Sequence, residues 1–204
     1  DFHALGALNI VKVLGTPLRL NAKAGERIVI LTDTKMEPEL WQGMAAAARM
    51  LGMEPSVAMM TPRAAHGYDP TPALRAAALD PATDLAIYLT STALAHAPMT
   101  QEMIARGKRF VLMEELKISM LGEDGPANAD YDAMAVLAEK LAGIMTDGKT
   151  IRVTCPNGTD LTAGIEGRPG RPITARHFPM DPATGGGGCA FPDGECHVFP
   201  VEGT

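Results

Sequence analysis

Arg27-Ile-Val-Ile-Leu-Thr-Asp33 decides how the rest of the chain is read. Four apolar residues in a row, three of them β-branched, lie between Ala24-Gly25 and a polar Thr-Asp end. The run is short for a helix and lacks the alternation of a half-exposed strand. It therefore predicts a strand covered on both faces, with polar side chains at its C-terminal edge. The following segment has helical spacing (Leu40, Met44, Ala47, Leu51), with Pro38 in the first turn and Gly52 just past the end. Ser56 to Met60 reads as the next strand, which makes a β-α-β unit.

The alternation continues outward. Thr71-Pro72 opens a helix that reaches Leu79, and Asp84 to Thr90 is a buried strand. Pro98 starts a helix that stops at Gly107, and Phe110 to Met113 is the strand after it. A long helix from Asn128 carries Tyr131, Met134, Leu137, Leu141 and Ile144 on one stripe. This order predicts an α/β fold: a Rossmann-like parallel sheet with helices on both faces.

The texture changes at Gly148. Thr150 to Cys155 and Leu161 to Ile165 read as a hairpin around Pro156-Asn-Gly-Thr-Asp160, and Gly and Pro dominate from Glu166 onward. The expected division is an α/β domain over 1–147 and the first part of a β-rich (α+β) domain over 148–204. Fewer than about 60 residues of such sequence do not bury an independent core, so further sequence or a partner chain is expected to complete it.

Composition narrows the function classes. A net charge of −6 and a pI near 5.3 give no basic footprint for nucleic acid or an anionic membrane. Three cysteines form an odd set, which fits a reducing, cytoplasmic setting. No apolar run approaches the ~20 residues of a membrane span. Asp1 to Gly15 lacks the pattern of a signal peptide, and the absence of an initiating Met allows for an upstream start.

Several residues are candidates for chemistry. Thr90-Ser91-Thr92 with His96 follows a strand, where open α/β sheets place ligands, or else caps the helix at Pro98. Glu114 and Glu115 belong to the same rim or to a solvated turn. Gly185 to Gly188 reads as a flexible loop, and no phosphate-binding glycine motif follows the first strand. Cys189, Cys196 and His197 are too widely spaced for a zinc knuckle. Pro192-Asp193-Gly194 is a turn, and Glu195 to Phe199 alternates as a strand with Glu195, His197 and Phe199 on one face. A carboxylate fixed by a Gly turn can present a rigid oxygen to a metal.

Gly158-Thr-Asp-Leu-Thr162, Gly167-Arg-Pro169, Phe191-Pro-Asp-Gly-Glu195 and Pro200-Val-Glu-Gly-Thr204 resemble a run of the M29 metallopeptidases, the aminopeptidase T-like proteins. The same fold group includes the iron-dependent 2,5-dihydroxypyridine 5,6-dioxygenases. The resemblance implies a metallo-aminopeptidase-type hydrolase, in which two zinc-, cobalt- or manganese-type ions activate water against a peptide or amide bond. It makes Glu195 a metal ligand, leaves His197 unmatched, and gives Thr159 and Asp160 a loop-shaping role. The other ligands of that family, a Glu, two His and an Asp, come from sequence C-terminal to these motifs. The dioxygenase branch is the alternative, with one iron held by two His and a carboxylate that the resemblance also places C-terminal to these motifs. The Gly194-Glu195 pair favours hydrolysis. A third reading is a catalytically inert portion that needs a missing C-terminal half or partner chain. A homo-oligomer is expected, with neither nucleic acid nor membrane as partner.

Overall fold

The computed structural model describes residues 2–176 and 178–203, with side chains from residue 9 onward. Thr204, the last residue of the Pro200–Thr204 motif, lies outside the described residues. The chain forms two compact units. One comprises Asp1–Ala129 with Ala175–Pro192, the other Asp130–Thr174 with Asp193–Thr204.

In the first unit the elements run α1 (Phe2–Asn21), β1 (Arg27–Asp33), α2 (Pro38–Met50), β2 (Glu54–Met60), α3 (Pro72–Leu79), β3 (Leu85–Leu89), α4 (Pro98–Ala105) and β4 (Arg109–Leu112). Short 3-10 turns over Ile118–Leu121 and Pro126–Asn128 follow. Much later the chain returns with β8 (Pro179–Asp181) and β9 (Gly186–Ala190). The sheet order is β2-β1-β3-β4-β9-β8. Its first five strands are parallel and β8 is an antiparallel edge. The expected parallel α/β sheet is present.

Strand alternation explains why both faces need covering. Val29 and Leu31 of β1, with Ala86, Tyr88 and Phe110 of the neighbouring strands, pack on Leu74 and Ala78 of α3 and on Met99 and Met103 of α4. Ile28 and Ile30 point the other way. Both are buried, as are Leu14 and Leu18 of α1 and Leu40 and Met44 of α2.

Two sequence expectations need correction here. α1 was not foreseen, because Pro17 interrupts its pattern. Asn21, at its end, donates its amide to the Pro17 carbonyl (2.9 Å) and to the Ala175 carbonyl (2.8 Å), which anchors the helix to the returning segment. Gly185 to Gly188 is not a flexible loop, since Gly186, Gly187 and Gly188 open β9. A Cβ on Gly186 would meet the Ile104 carbonyl, and one on Gly188 would meet the Phe110 carbonyl and ring. The glycines let the fifth parallel strand lie flush against β4 and the end of α4.

The second unit has α5 (Tyr131–Asp147), the hairpin β5 (Thr150–Thr154) and β6 (Asp160–Gly164), and the antiparallel pair β7 (Arg171–Thr174) and β10 (Gly194–His197). Asp130 caps α5 by accepting the Ala133 N–H at 3.0 Å. The stripe read from the sequence is not the main buried face of α5. Tyr131, the first residue of that stripe, is buried, but Leu137, Leu141 and Ile144 are 57%, 40% and 60% exposed, and Ala138 and Ala142 are buried instead. The cause is close approach. A Cβ on Gly170, next to β7, would strike the Ala142 backbone, and the Gly170 N–H donates to Thr146 Oγ1 at 3.0 Å. Only small residues fit there, so the large ones face out. No helix among the described residues is long and apolar enough to cross a membrane.

Candidate functional site

Strand order determines where the first unit can hold a ligand. From β1 the chain moves to β2 on one side, then crosses back so that β3 and β4 lie on the other. This is the doubly wound order, and its reversal between β1 and β3 opens a crevice at the strands' C-terminal ends. Asp33, the last residue of β1, is fully buried there. Its carboxylate accepts the Ser91 N–H at 2.6 Å and the Lys35 N–H at 2.9 Å, so it ties the loop after β1 to the loop after β3. The loops after β2 and β3 are tied as well, since the Ala93 N–H donates to His66 Nδ1 at 2.9 Å.

Thr90, Ser91 and Thr92 sit on this rim, as the sequence suggested. They do not cap α4. The N-cap of α4 is Ala97 with no side-chain cap bond, and the Met99 N–H goes to Asp69 Oδ1 at 2.7 Å. Thr90 Oγ1 donates to the Thr92 carbonyl at 2.9 Å. Among the described residues, the buried side-chain polar atoms without a protein partner are Thr32 Oγ1, Arg63 Nε, Ser91 Oγ and Thr92 Oγ1. Thr32 ends β1 with Asp33, Arg63 follows β2, and Ser91 and Thr92 follow β3. They therefore share the C-terminal side of one sheet. His96 is exposed at the same end.

Glu114 is no solvated turn residue either. Its carboxylate accepts the N–H groups of Leu94 and Ala95. Burial pushes it up to about 7, with the Glu115 charge adding to the rise and the two N–H donors opposing it. The folded carboxyl holds its proton more tightly than the ordinary 4.5, so its contribution to stability is present below pH 4.5 and lost as pH rises through about 7. Glu114→Gln is therefore expected to match the wild type at pH 4.5 and to exceed it at pH 8 by roughly 2–3 kcal/mol. Urea denaturation at the two pH values checks this, and equal differences at both would refute it.

Glu115, next along, has φ 58 and is the described non-glycine residue with positive φ. Its N–H donates to the Thr90 carbonyl at 2.8 Å, which holds the loop after β4 over β3. A crevice of about 340 Å³ lies here, lined by Lys35, Met36, Glu37, Ser91, Glu115, Leu116 and Lys117.

The second unit holds the predicted metal residue. Glu195 lies on β10 and is exposed, with His197 Nδ1 3.6 Å from its Oε1. Phe199 stands edge-on to the His197 ring at 5.5 Å, and the Arg171 guanidinium lies 5.8 Å over the Phe199 ring. The expected shared face of Glu195, His197 and Phe199 is thus formed. Burial raises the Asp193 carboxyl from its ordinary value; the Gly194 N–H opposes the rise and the Glu195 charge adds to it. No group of three His, Cys, Asp or Glu side chains placed to hold a metal occurs among the described residues. Cys189 Sγ lies 3.6 Å from Asn21 Oδ1 in the first unit, while Cys196 Sγ lies 3.5 Å from Met145 Sδ in the second.

The Gly-Thr-Asp-Leu-Thr motif has a structural role. Gly158, at φ 97, makes the turn between β5 and β6, and Asp160 pairs with Arg152 through two bonds of 2.8 and 2.9 Å. Hydrogen bonds from the Thr159 hydroxyl, and then from nearby backbone N–H groups, hold the Cys155 thiol below its ordinary value.

Comparison with known proteins overturns the hydrolase expectation. The NicX family model, 2,5-dihydroxypyridine 5,6-dioxygenase, matches residues 10–204. The solved structure of 2,5-dihydroxypyridine dioxygenase from Pseudomonas putida KT2440 superposes with a TM-score of 0.64 at 17% identity. The match covers 94% of this chain and 55% of that one. At that identity the likeness shows the fold, and this chain spans little more than half the length of the solved protein. No curated protein matches the sequence significantly. The metallo-aminopeptidase activity, and the zinc-, cobalt- or manganese-type ions expected with it, fall with this result. The motifs behind them are a hairpin turn and a strand edge, features of a backbone and not of one chemistry. The chain belongs to the 2,5-dihydroxypyridine 5,6-dioxygenase (NicX) family.

Proposed function

We propose that this chain forms about half of an iron-dependent dioxygenase that opens the ring of a hydroxylated pyridine, with 2,5-dihydroxypyridine as the reference substrate. The observation that carries the proposal is the family match across residues 10–204. The shared fold with the solved dioxygenase supports it.

An iron site of the ring-cleaving kind takes two His and one carboxylate. Glu195 and His197 offer one of each on a single strand face, 3.6 Å apart. A complete set is not gathered among the described residues. We assign Glu195 to the metal as a contributing carboxylate, and the remaining donors to the part of the solved dioxygenase that lies outside the match. The role that this chain's own residues support is to build the parallel-sheet unit and to hold Glu195 and His197 on a strand pinned to β7.

The test is oxygen uptake by the protein in its full natural length. Addition of 2,5-dihydroxypyridine is expected to start uptake in proportion to ferrous iron loaded, and Glu195→Ala is expected to bind less iron. Absence of uptake at full loading would overturn the reading. Unchanged iron content in Glu195→Ala would remove Glu195 from it.

A further inference from the structure

The crevice between the ends of β1 and β3 belongs to the first unit, and the proposed dioxygenase function leaves it unused. Three independent features meet there: the reversal of strand order, the buried Ser91 hydroxyl with no protein partner, and the positive-φ Glu115. Buried polar atoms in native proteins are nearly all hydrogen-bonded, so a concentration of exceptions at one sheet end needs a cause.

The chemistry of the lining selects the ligand. Its carboxylates are Glu37, whose Oε2 takes the Ile118 N–H at 2.9 Å, and Glu115. Asp33, just behind the lining, has both oxygens taken by backbone N–H groups. The donors of the lining are uncommitted: Ser91 Oγ has no protein partner, and neither Lys35 Nζ nor Lys117 Nζ makes an ion pair among the described residues, although Glu37 and Glu115 line the same crevice. Met36 and Leu116, both buried, supply an apolar floor. A volume of about 340 Å³ suits a molecule the size of a single ring or a short chain.

We propose that this crevice binds a small anionic molecule, its carboxylate or phosphate held by Ser91 Oγ and the Lys35 and Lys117 ammonium groups, and its body resting on Met36 and Leu116. The site is independent of the iron chemistry, so the failure of either proposal leaves the other standing.

Amide NMR titration of the protein with benzoate, and separately with inorganic phosphate at constant ionic strength, tests the site. Saturable shifts confined to residues 32–37, 90–93 and 115–118 are expected with at least one probe. Benzoate alone would identify an organic acid site and phosphate alone a phosphate ester site. The double variant Lys35→Met/Lys117→Met is expected to weaken binding at least tenfold. Ser91→Ala is expected to weaken it several-fold with no loss of thermal stability, since that hydroxyl has no protein partner to lose. Shifts with neither probe, or shifts spread evenly over all surface lysines, would overturn the proposal. A Ser91→Ala variant that loses stability but keeps its affinity would also overturn it.

Discussion

Gly188→Ala is expected to destabilise the first unit by about 3 kcal/mol or more, the upper range for forcing extra volume into a packed core. The added methyl would sit on the Phe110 carbonyl and ring, and both belong to β4, the strand that Gly188 pairs with. Neither can move cheaply. Phe110 is buried and stacked on Tyr88 at 5.4 Å, and its backbone is held in the centre of the sheet. Relief would require β9 to leave β4, taking the antiparallel edge β8 with it. At roughly 2–4 °C per kcal/mol for a domain of this size, the midpoint should fall by about 6–12 °C. Hydrogen exchange should show the N–H of Phe191, which donates to Leu112 at 2.8 Å, exchanging early. A variant with wild-type melting would mean that β9 is not docked as described. Gly185→Ala is a useful contrast, because a Cβ there meets nothing within 4 Å and only its φ of 72 is strained.

Asp33→Ala is the second large effect. Removal of the carboxylate leaves the N–H groups of Ser91 and Lys35 without their acceptor in a buried place. Hydrogen bonds to a charged group contribute roughly 1.5–3 kcal/mol each, and the release of a buried charge offsets part of their loss. A net cost of about 3 kcal/mol is expected. The β1 and β3 loops should also separate, so binding of anions in the crevice should vanish together with the stability. Thr32→Val, one residue earlier, removes a buried hydroxyl that has no protein partner, and should be neutral or stabilising. Chemical denaturation of the two variants side by side checks the pair. Equal losses would mean that the Asp33 contacts carry little of the loop architecture.

The parts legible in the sequence were those governed by local pattern. The apolar runs of β1, β3 and β4, and the Pro-started helices α2, α3 and α4, sit where periodicity placed them, because each buries a face through its own residues. The return of the chain to the sheet was not legible. β9 consists of three glycines, Cys189 and Ala190, with none of the β-branched content that marks a strand, because space against Ile104 and Phe110 overrides propensity. The face of α5 was misread for a related reason. Periodicity finds an apolar stripe, but close packing beside Gly170 chose the Ala side. The rim was visible as polar residues at strand ends, yet its coherence depends on Asp33 reaching Ser91 across 58 positions. Alternation did place Glu195, His197 and Phe199 on one face. The choice of chemistry went wrong because the motif residues around Glu195 serve the hairpin and the strand edge, which any function of this fold can share.

The most direct test of the dioxygenase reading is isotopic. The full-length protein, loaded with ferrous iron and given 2,5-dihydroxypyridine under ¹⁸O₂, should yield a ring-opened product that carries both atoms of one oxygen molecule. Product labelled only from H₂¹⁸O, or substrate recovered intact with no oxygen consumed, would contradict it.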